Sequence, residues 1–240
     1  MAREEESTGE ERRAARRRNT RQRILDTTLD ILVRDGYEGF TIARLASELD
    51  YAVGALYRYF KGKDAIVAAL QHQIVTRLEA ELDAVLRVLP DDSKQHALQR
   101  LFVAGIVYES LTWRRPTEHQ VLAHSLGDPR PQLKKEEVES VLSALESLLG
   151  RLAEVIASAT KLGALGPGDA RHQALIFWGS TYGIMALRKL ERMRPDFADT
   201  KLVKSLHTAL VIGWGAAPTD AERAFDEAAT LVRDTFSAES

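Results

Sequence analysis

Apolar positions recur every three or four residues along most of the chain, and no stretch reads as a convincing strand. Ile24, Leu25, Thr28, Leu29 and Leu32 share one face of a helix that starts at Asn19 or Thr20, with Thr20 as N-cap, and stops at Gly36, where a left-handed residue is cheap. Phe40 follows a short connector and is expected to plug a small core. Thr41 then caps a helix to about Glu48, and a second short helix runs from about Ala52 to Arg58. Ile42, Leu45, Ala46, Leu49, Leu56 and Phe60 mark the buried side of this pair.

A long helix opens at Lys63-Asp64 and runs to about Leu89, its stripe built from Val67, Leu70, Ile74, Leu78, Leu82, Val85 and Leu89. Pro90 stops it. Further helices are expected at about 93–113, 117–126, 133–162, 169–192, 200–214 and 219–236. The stripe of the helix at 133–162 reads as Val138, Val141, Leu142, Leu145, Leu149, Leu152 and Ile156. Asp169 stands where it can cap the next helix. The fold class expected is all-α: an N-terminal three-helix unit joined by a long helix to a second helical domain. The expected domains are a disordered basic arm over 1–18, a three-helix unit over 19–78 with its motif at 41–60, and a helical body over 79–240.

Composition changes this picture little. The chain has 240 residues with 45% hydrophobic content, enough for a sizeable core, and no cysteine. The N-terminus is charged, and no run approaches the roughly 18 apolar residues of a membrane span, so no membrane partner is expected and cytoplasmic residence is the default. A net charge of −2 does not advertise nucleic acid, but residues 12–23 carry seven arginines and no acid. Such an arm, with Arg16, Arg17 and Arg18 at its centre, suits phosphate contacts, and it equally suits a solvated tail.

Candidate chemistry is concentrated at 41–63. A short helix that offers small and aromatic residues outward, followed by lysines, suits a DNA groove. Metal spacing, a P-loop, a nucleophile elbow and a dinucleotide fingerprint are all missing from the sequence, so neither a cofactor, a metal site nor enzymatic activity is expected. His119 and His124 are five apart, which does not place them on one helix face.

The segments ILDTTLDILVRDGYEGFTIARLA and GALYRYFKGKDAI, within Thr20 to Leu70, resemble the DNA-binding domain of the TetR family of transcriptional regulators. FWGSTYGIMALRKL resembles the family's dimer helix. The resemblance implies a homodimeric repressor, released from a palindromic double-stranded operator by a small effector. It implies that the helix from Ala52 enters the major groove, where small Gly54 and Ala55 allow close approach. Tyr57 and Lys63 would hold phosphates, Tyr59 would lie near the DNA backbone, Thr41 would contact phosphate as well, and Lys61 would add charge. The family's usual Gly-Val-Ser turn is replaced by Asp50-Tyr51-Ala52-Val53. Ala52 supplies no hydroxyl and Val53 no hydrogen bond, although Val53 suits a thymine methyl. Arg44 becomes the expected polar base reader, with Tyr51 behind it. This departure also supports the alternative of a ligand-binding or protein-interaction module with weakened DNA reading. In the body, Phe102, Tyr108, Trp113, His119, His124, Phe177, Trp178 and Tyr182 are candidates to line a pocket for a hydrophobic or aromatic effector; core or dimer packing competes for each. The dimer is expected through 169–192 and 200–214, where Gly179, Ser180, Gly183, Ala186 and Gly213 allow close approach.

Overall fold

The computed structural model describes residues 2–127, 135–187 and 201–237, the side chains of 2–8, 124–127, 135–138 and 140 excepted. Ten helices and no strand are found among them. They form two compact units, Met1–Gln73 with Gln120–Val141, and Ile74–His119 with Leu142–Ser240.

In the first unit, α1 (Ala2–Gly39) is broken at Gly36, whose φ of 69° and ψ of −176° leave the helical region. Only glycine takes such an angle without strain. The expected disorder over 1–18 is not found: the backbone is helical from Ala2. The physical reason is composition. Alanine, arginine and glutamate are strong helix formers, and acids come before arginines, the order that the helix dipole favours. Thr20 is accordingly inside α1, its hydroxyl donating to the Arg16 carbonyl at 3.0 Å, rather than an N-cap.

α2 (Ile42–Glu48) starts as expected, with the Thr41 hydroxyl accepting from the Arg44 amide at 3.2 Å. Asp50 makes the turn in the left-handed region at φ 55°, and the Tyr51 amide donates to the Ala46 carbonyl at 2.8 Å. α3 (Val53–Leu56) is shorter than expected and continues only as turns to Tyr59. Ala52 caps it with no side-chain hydrogen bond, as its methyl group requires. Ile24, Ile31, Phe40, Leu45, Leu56 and Ile66 are fully buried and fix these helices on α1 and on the start of α4 (Lys63–Leu86).

The division between units falls after Gln73, inside α4, and not at 78. The first unit also takes in Gln120–Val141, because Gln71 Nε2 donates to the Val121 carbonyl at 3.1 Å and Val121 and Leu122 are buried. Those residues belong to α6 (Pro116–Gly127), and the expected single body over 79–240 is therefore interrupted.

In the second unit, α5 (Lys94–Arg114) is capped by Ser93, whose hydroxyl accepts from the His96 amide at 3.2 Å. α7 (Lys135–Lys161), which belongs to this unit from Leu142 onward, α8 (Ala170–Leu187), α9 (Leu202–Gly213) and α10 (Pro218–Ser237) follow. α5 packs on α8 and α10, and α9 packs on α8 and α10. Asp169 caps α8 through the Arg171 amide at 2.9 Å. The expected stripe of α7 is met in its second half, where Leu152 and Ile156 are buried; Val141, Leu145 and Leu149 are half-buried, Leu142 is exposed, the Val138 side chain lies outside the described residues, and Ala144, Leu148, Val155 and Ala159 widen the buried face. Alanines at 144 and 159 extend the face at a spacing of three and four, a contribution that a stripe of large residues overlooks.

Candidate nucleic-acid interface and ligand cleft

The reading edge is built on a locked frame. Arg21 reaches the Tyr59 carbonyl with Nη1 at 2.6 Å and stacks its guanidinium 4.1 Å from the Phe60 ring centroid. Burial, and then the charge of Arg17, hold the Arg21 guanidinium below its ordinary pKa. Sequence reasoning missed this arginine because nothing local pairs residue 21 with residue 59. On the outer side of the frame, Ala52, Val53, Gly54 and Tyr57 are exposed, and Ala55 is half-buried. A methyl added at Gly54 would meet nothing within 4 Å. The smallness of residue 54 therefore serves no internal packing and leaves room for something outside. Tyr51 is half-buried, with the Arg23 guanidinium 5.9 Å from its ring centroid.

Arg44 is not idle. Nη2 pairs with Asp35 Oδ2 at 2.8 Å and Nε lies 3.3 Å from Glu48 Oε1, which also pairs with Arg34. A base contact by Arg44 must exchange with these carboxylates. The i,i+4 spacing to Glu48 was legible; the contact with Asp35 was not.

Lys63 divides its roles. Its ammonium donates to the Tyr37 carbonyl at 3.2 Å and lies 4.3 Å from the Tyr37 ring centroid. That leaves the backbone amides at the start of α4 as the groups suited to a phosphate. Thr41 and Lys61 are exposed, Tyr59 is half-buried, and Arg16, Arg17 and Arg18 are exposed on α1. The arginines thus stand on a helix and not on a free arm.

The second unit holds a narrow cleft among α4, α5, α7 and α8, with about 430 Å³ of space between atoms when its open mouth is included. Leu78, Leu82, Leu148 and Leu152 form apolar walls, with Tyr108, Phe177, Trp178 and Thr181 opposite the eye of any ligand that enters. Three expected candidates therefore line it: Tyr108, Phe177 and Trp178. Phe102 does not; it is fully buried edge-on against Phe225, with centroids 5.3 Å apart. Trp113 is 58% exposed, and Tyr182 stacks on Trp178 outside the lining. His119 is tilted against the Tyr108 ring and does not line the cleft. The His124 side chain lies outside the described residues.

Behind the cleft sits a residue the sequence did not single out. His207 is fully buried, stacked on Phe177 with centroids 4.3 Å apart, and Nε2 lies 2.8 Å from Thr181 Oγ1. The Thr181 hydroxyl donates to the Phe177 carbonyl at 2.6 Å, so Nε2 carries the proton and Nδ1 is left without a partner. Burial depresses the His207 pKa to about 3.

α8 also presents an exposed apolar face. Leu175, Ile176 and Leu187 are exposed, and methyls added at Gly179 or Gly183 would meet nothing within 4 Å. On α9, Leu202 and Ile212 are exposed and Gly213 is open. The expected dimer segment beyond Leu187 lies outside the described residues.

Residues 24–70 match the family described as bacterial regulatory proteins, tetR family. The HTH-type transcriptional repressor KstR of Mycobacterium tuberculosis is 31% identical over 133 residues, which is 53% of this chain and 57% of that one. The chain thus spans little more than half the length of that curated relative. A TetR-family transcriptional regulator from Agrobacterium tumefaciens superimposes with a TM-score of 0.62 at 21% identity, covering 83% of this chain and 100% of that one. FadR from Bacillus subtilis, solved in complex with stearoyl-CoA, gives a TM-score of 0.60 at 18% identity, covering 80% of this chain and 98% of that one. The all-helical fold is shared with these solved structures. Residues 24–70 are a tetR-family helix-turn-helix domain.

Proposed function

We propose that this chain is a homodimeric transcriptional repressor that leaves its operator when a small molecule enters the cleft of the second unit. One observation carries the reading: a helix-turn-helix frame locked by Phe40, Leu45 and Leu56 turns Val53, open Gly54 and Tyr57 outward. Groove contact comes from α3, and phosphate contact from Tyr57, Thr41, Lys61, the amides at Lys63 and the α1 arginines. Arg44 reads a base edge after exchanging Asp35 and Glu48 for it, and Tyr51 and Tyr59 flank the contact. The exposed faces of α8 and α9 supply the self-association that brings two reading units to one palindromic site. The effector acts by preferring a conformer whose reading units no longer match the half-site spacing. A partner of this kind places the protein in the cytoplasm with the chromosome. The ligand is an effector and not a cofactor of catalysis.

A second reading has its own support. With Ala52 unable to cap or to hold phosphate and Arg44 tied to two carboxylates, base discrimination is weakened, and the chain acts mainly as a ligand-binding module.

Fluorescence anisotropy with DNA flanking the protein's own gene separates the two. The repressor reading expects at least about a thousandfold preference over scrambled DNA. It also expects Arg44→Ala to lose about tenfold in affinity on the preferred site and less on scrambled DNA. Steep salt dependence with no preference between the two DNAs overturns it and leaves the second reading.

A further inference from the structure

Tyr108 is 6% exposed and lines the cleft, yet its phenolic oxygen has no hydrogen-bond partner. A buried hydroxyl left in this condition costs about 1–3 kcal/mol, so it is the one place in the cleft where a polar atom of a ligand gains most. Burial, and then the neighbouring Tyr182, push the Tyr108 phenol up from its ordinary value. The phenol is therefore a neutral O–H donor, and because its oxygen is enclosed, a ligand reaches it only as the walls around Tyr108 part. Thr181, the other hydroxyl in the lining, is already engaged with the Phe177 carbonyl and the His207 ring.

The remaining walls limit the chemistry further. Among the described residues, no lysine, arginine, histidine, aspartate or glutamate lines the cleft. A charged ligand group would lose its hydration there and find no counter-charge. The leucine walls offer a water molecule none of the two or more polar partners it needs. Shape narrows the choice again. The cleft is narrow, with Leu78 and Leu82 of α4 facing Leu148 and Leu152 of α7 across it, so a slender ligand suits it better than a globular one.

We propose that the cleft binds a neutral, slender, mostly hydrocarbon molecule bearing a single carbonyl or hydroxyl oxygen, which accepts a hydrogen bond from the Tyr108 phenol. This names the ligand class of the effector cleft and rests on that reading for its regulatory consequence. The hydrocarbon part lies along Leu78, Leu82, Leu148 and Leu152, and the Trp178 ring closes one side. Specificity follows from the donor. A molecule that lacks the oxygen leaves the phenol unpartnered, and one that replaces it with a carboxylate or ammonium buries an uncompensated charge.

The test uses the full chain without DNA, following tryptophan fluorescence, to which Trp178 contributes from the lining. Three probes of equal chain length are titrated: 2-decanone, decanoate and decylamine, at pH 7.5. Saturable binding of 2-decanone at least tenfold tighter than either charged probe supports the proposal. Equal or tighter binding of decanoate or decylamine overturns it, as does the absence of saturable binding by 2-decanone. Tyr108→Phe keeps the ring and removes the donor, and its affinity for 2-decanone should fall about fivefold to tenfold. An unchanged affinity in a variant with an unchanged melting curve overturns the Tyr108 assignment. If that variant does not fold, the ranking of the three probes on the unmodified chain still decides. DNA anisotropy with and without 2-decanone is read separately. Ketone binding that leaves operator affinity unchanged removes the regulatory reading while the ligand class stands.

Discussion

Arg44 shows how one side chain can be singled out from the sequence and still be incompletely described. Its exposure on the edge next to α3 was readable from the spacing of Ile42 and Leu45. Its ties to Asp35 and Glu48 depend on where the end of α1 falls in space, which no local pattern carries. Lys63 is similar: a lysine at the start of a helix suggests a charged hand for phosphate, yet its ammonium is turned inward onto Tyr37. His207 was invisible for the opposite reason. It sits in a run, LVKSLHTALVIG, where a histidine on an apolar face gives no sign of its neighbours. Its burial makes a firm prediction. The folded pKa of about 3 lies below the ordinary 6.5, so the unfolded chain takes up the proton first as pH falls. The stabilisation is complete above about pH 6.5 and declines from there toward about 3, by up to about 1.4 kcal/mol per pH unit. Urea unfolding should show a loss of about 2 kcal/mol between pH 7 and pH 5. His207→Gln should show much less. Equal losses in the two proteins would count against the assignment.

At the level of elements, nearly every helix was legible, because capping residues and stops are local: Thr41, Ser93, Asp169 and Gly36 each act within a few residues of themselves. The misses have physical causes. The N-terminal arginines and glutamates lack apolar periodicity but favour helix by propensity alone. The buried face of α7 was read correctly at Leu152 and Ile156 but too narrowly, because alanines carry part of it. The turn between α2 and α3 is where element and function meet. Asp50 occupies φ 55°, a region that costs a non-glycine residue about 1 kcal/mol. Asp50→Gly should stabilise the protein by about 0.5–1 kcal/mol in thermal unfolding, and Asp50→Ala should not. Destabilisation by the glycine would mean that the aspartate side chain contributes more to the turn than its backbone angle loses.

At the level of the whole molecule, the cleft was legible only in part. Tyr108, Phe177 and Trp178 were in view, but the leucines that shape the walls look like any other core leucines until α4 and α7 are brought together. The α8 face proposed for self-association was better marked, since glycines at 179 and 183 stand among apolar residues with open space above them among the described residues. Ile176→Glu places a charge on this face of α8 without touching the buried side held by Ala174, Phe177 and Thr181. Sedimentation equilibrium should show a dimer for the parent chain and a dissociation constant at least about a hundredfold weaker for the variant, the scale of an unpaired interfacial charge. A parent chain of monomer mass would remove the dimer, and with it the palindromic operator.

The contact between Gly105 and His207 bears on how this protein can change over time. A methyl at residue 105 would lie 2.1 Å from His207 Cε1, well inside contact distance. The two positions therefore share one volume, and neither can drift alone. A descendant that shrinks residue 207 frees residue 105 to grow, and one that grows residue 105 first loses the stacked ring behind the cleft. Because Gly105 is also part of the cleft wall, that order of substitution decides whether a lineage can alter its ligand while keeping its fold.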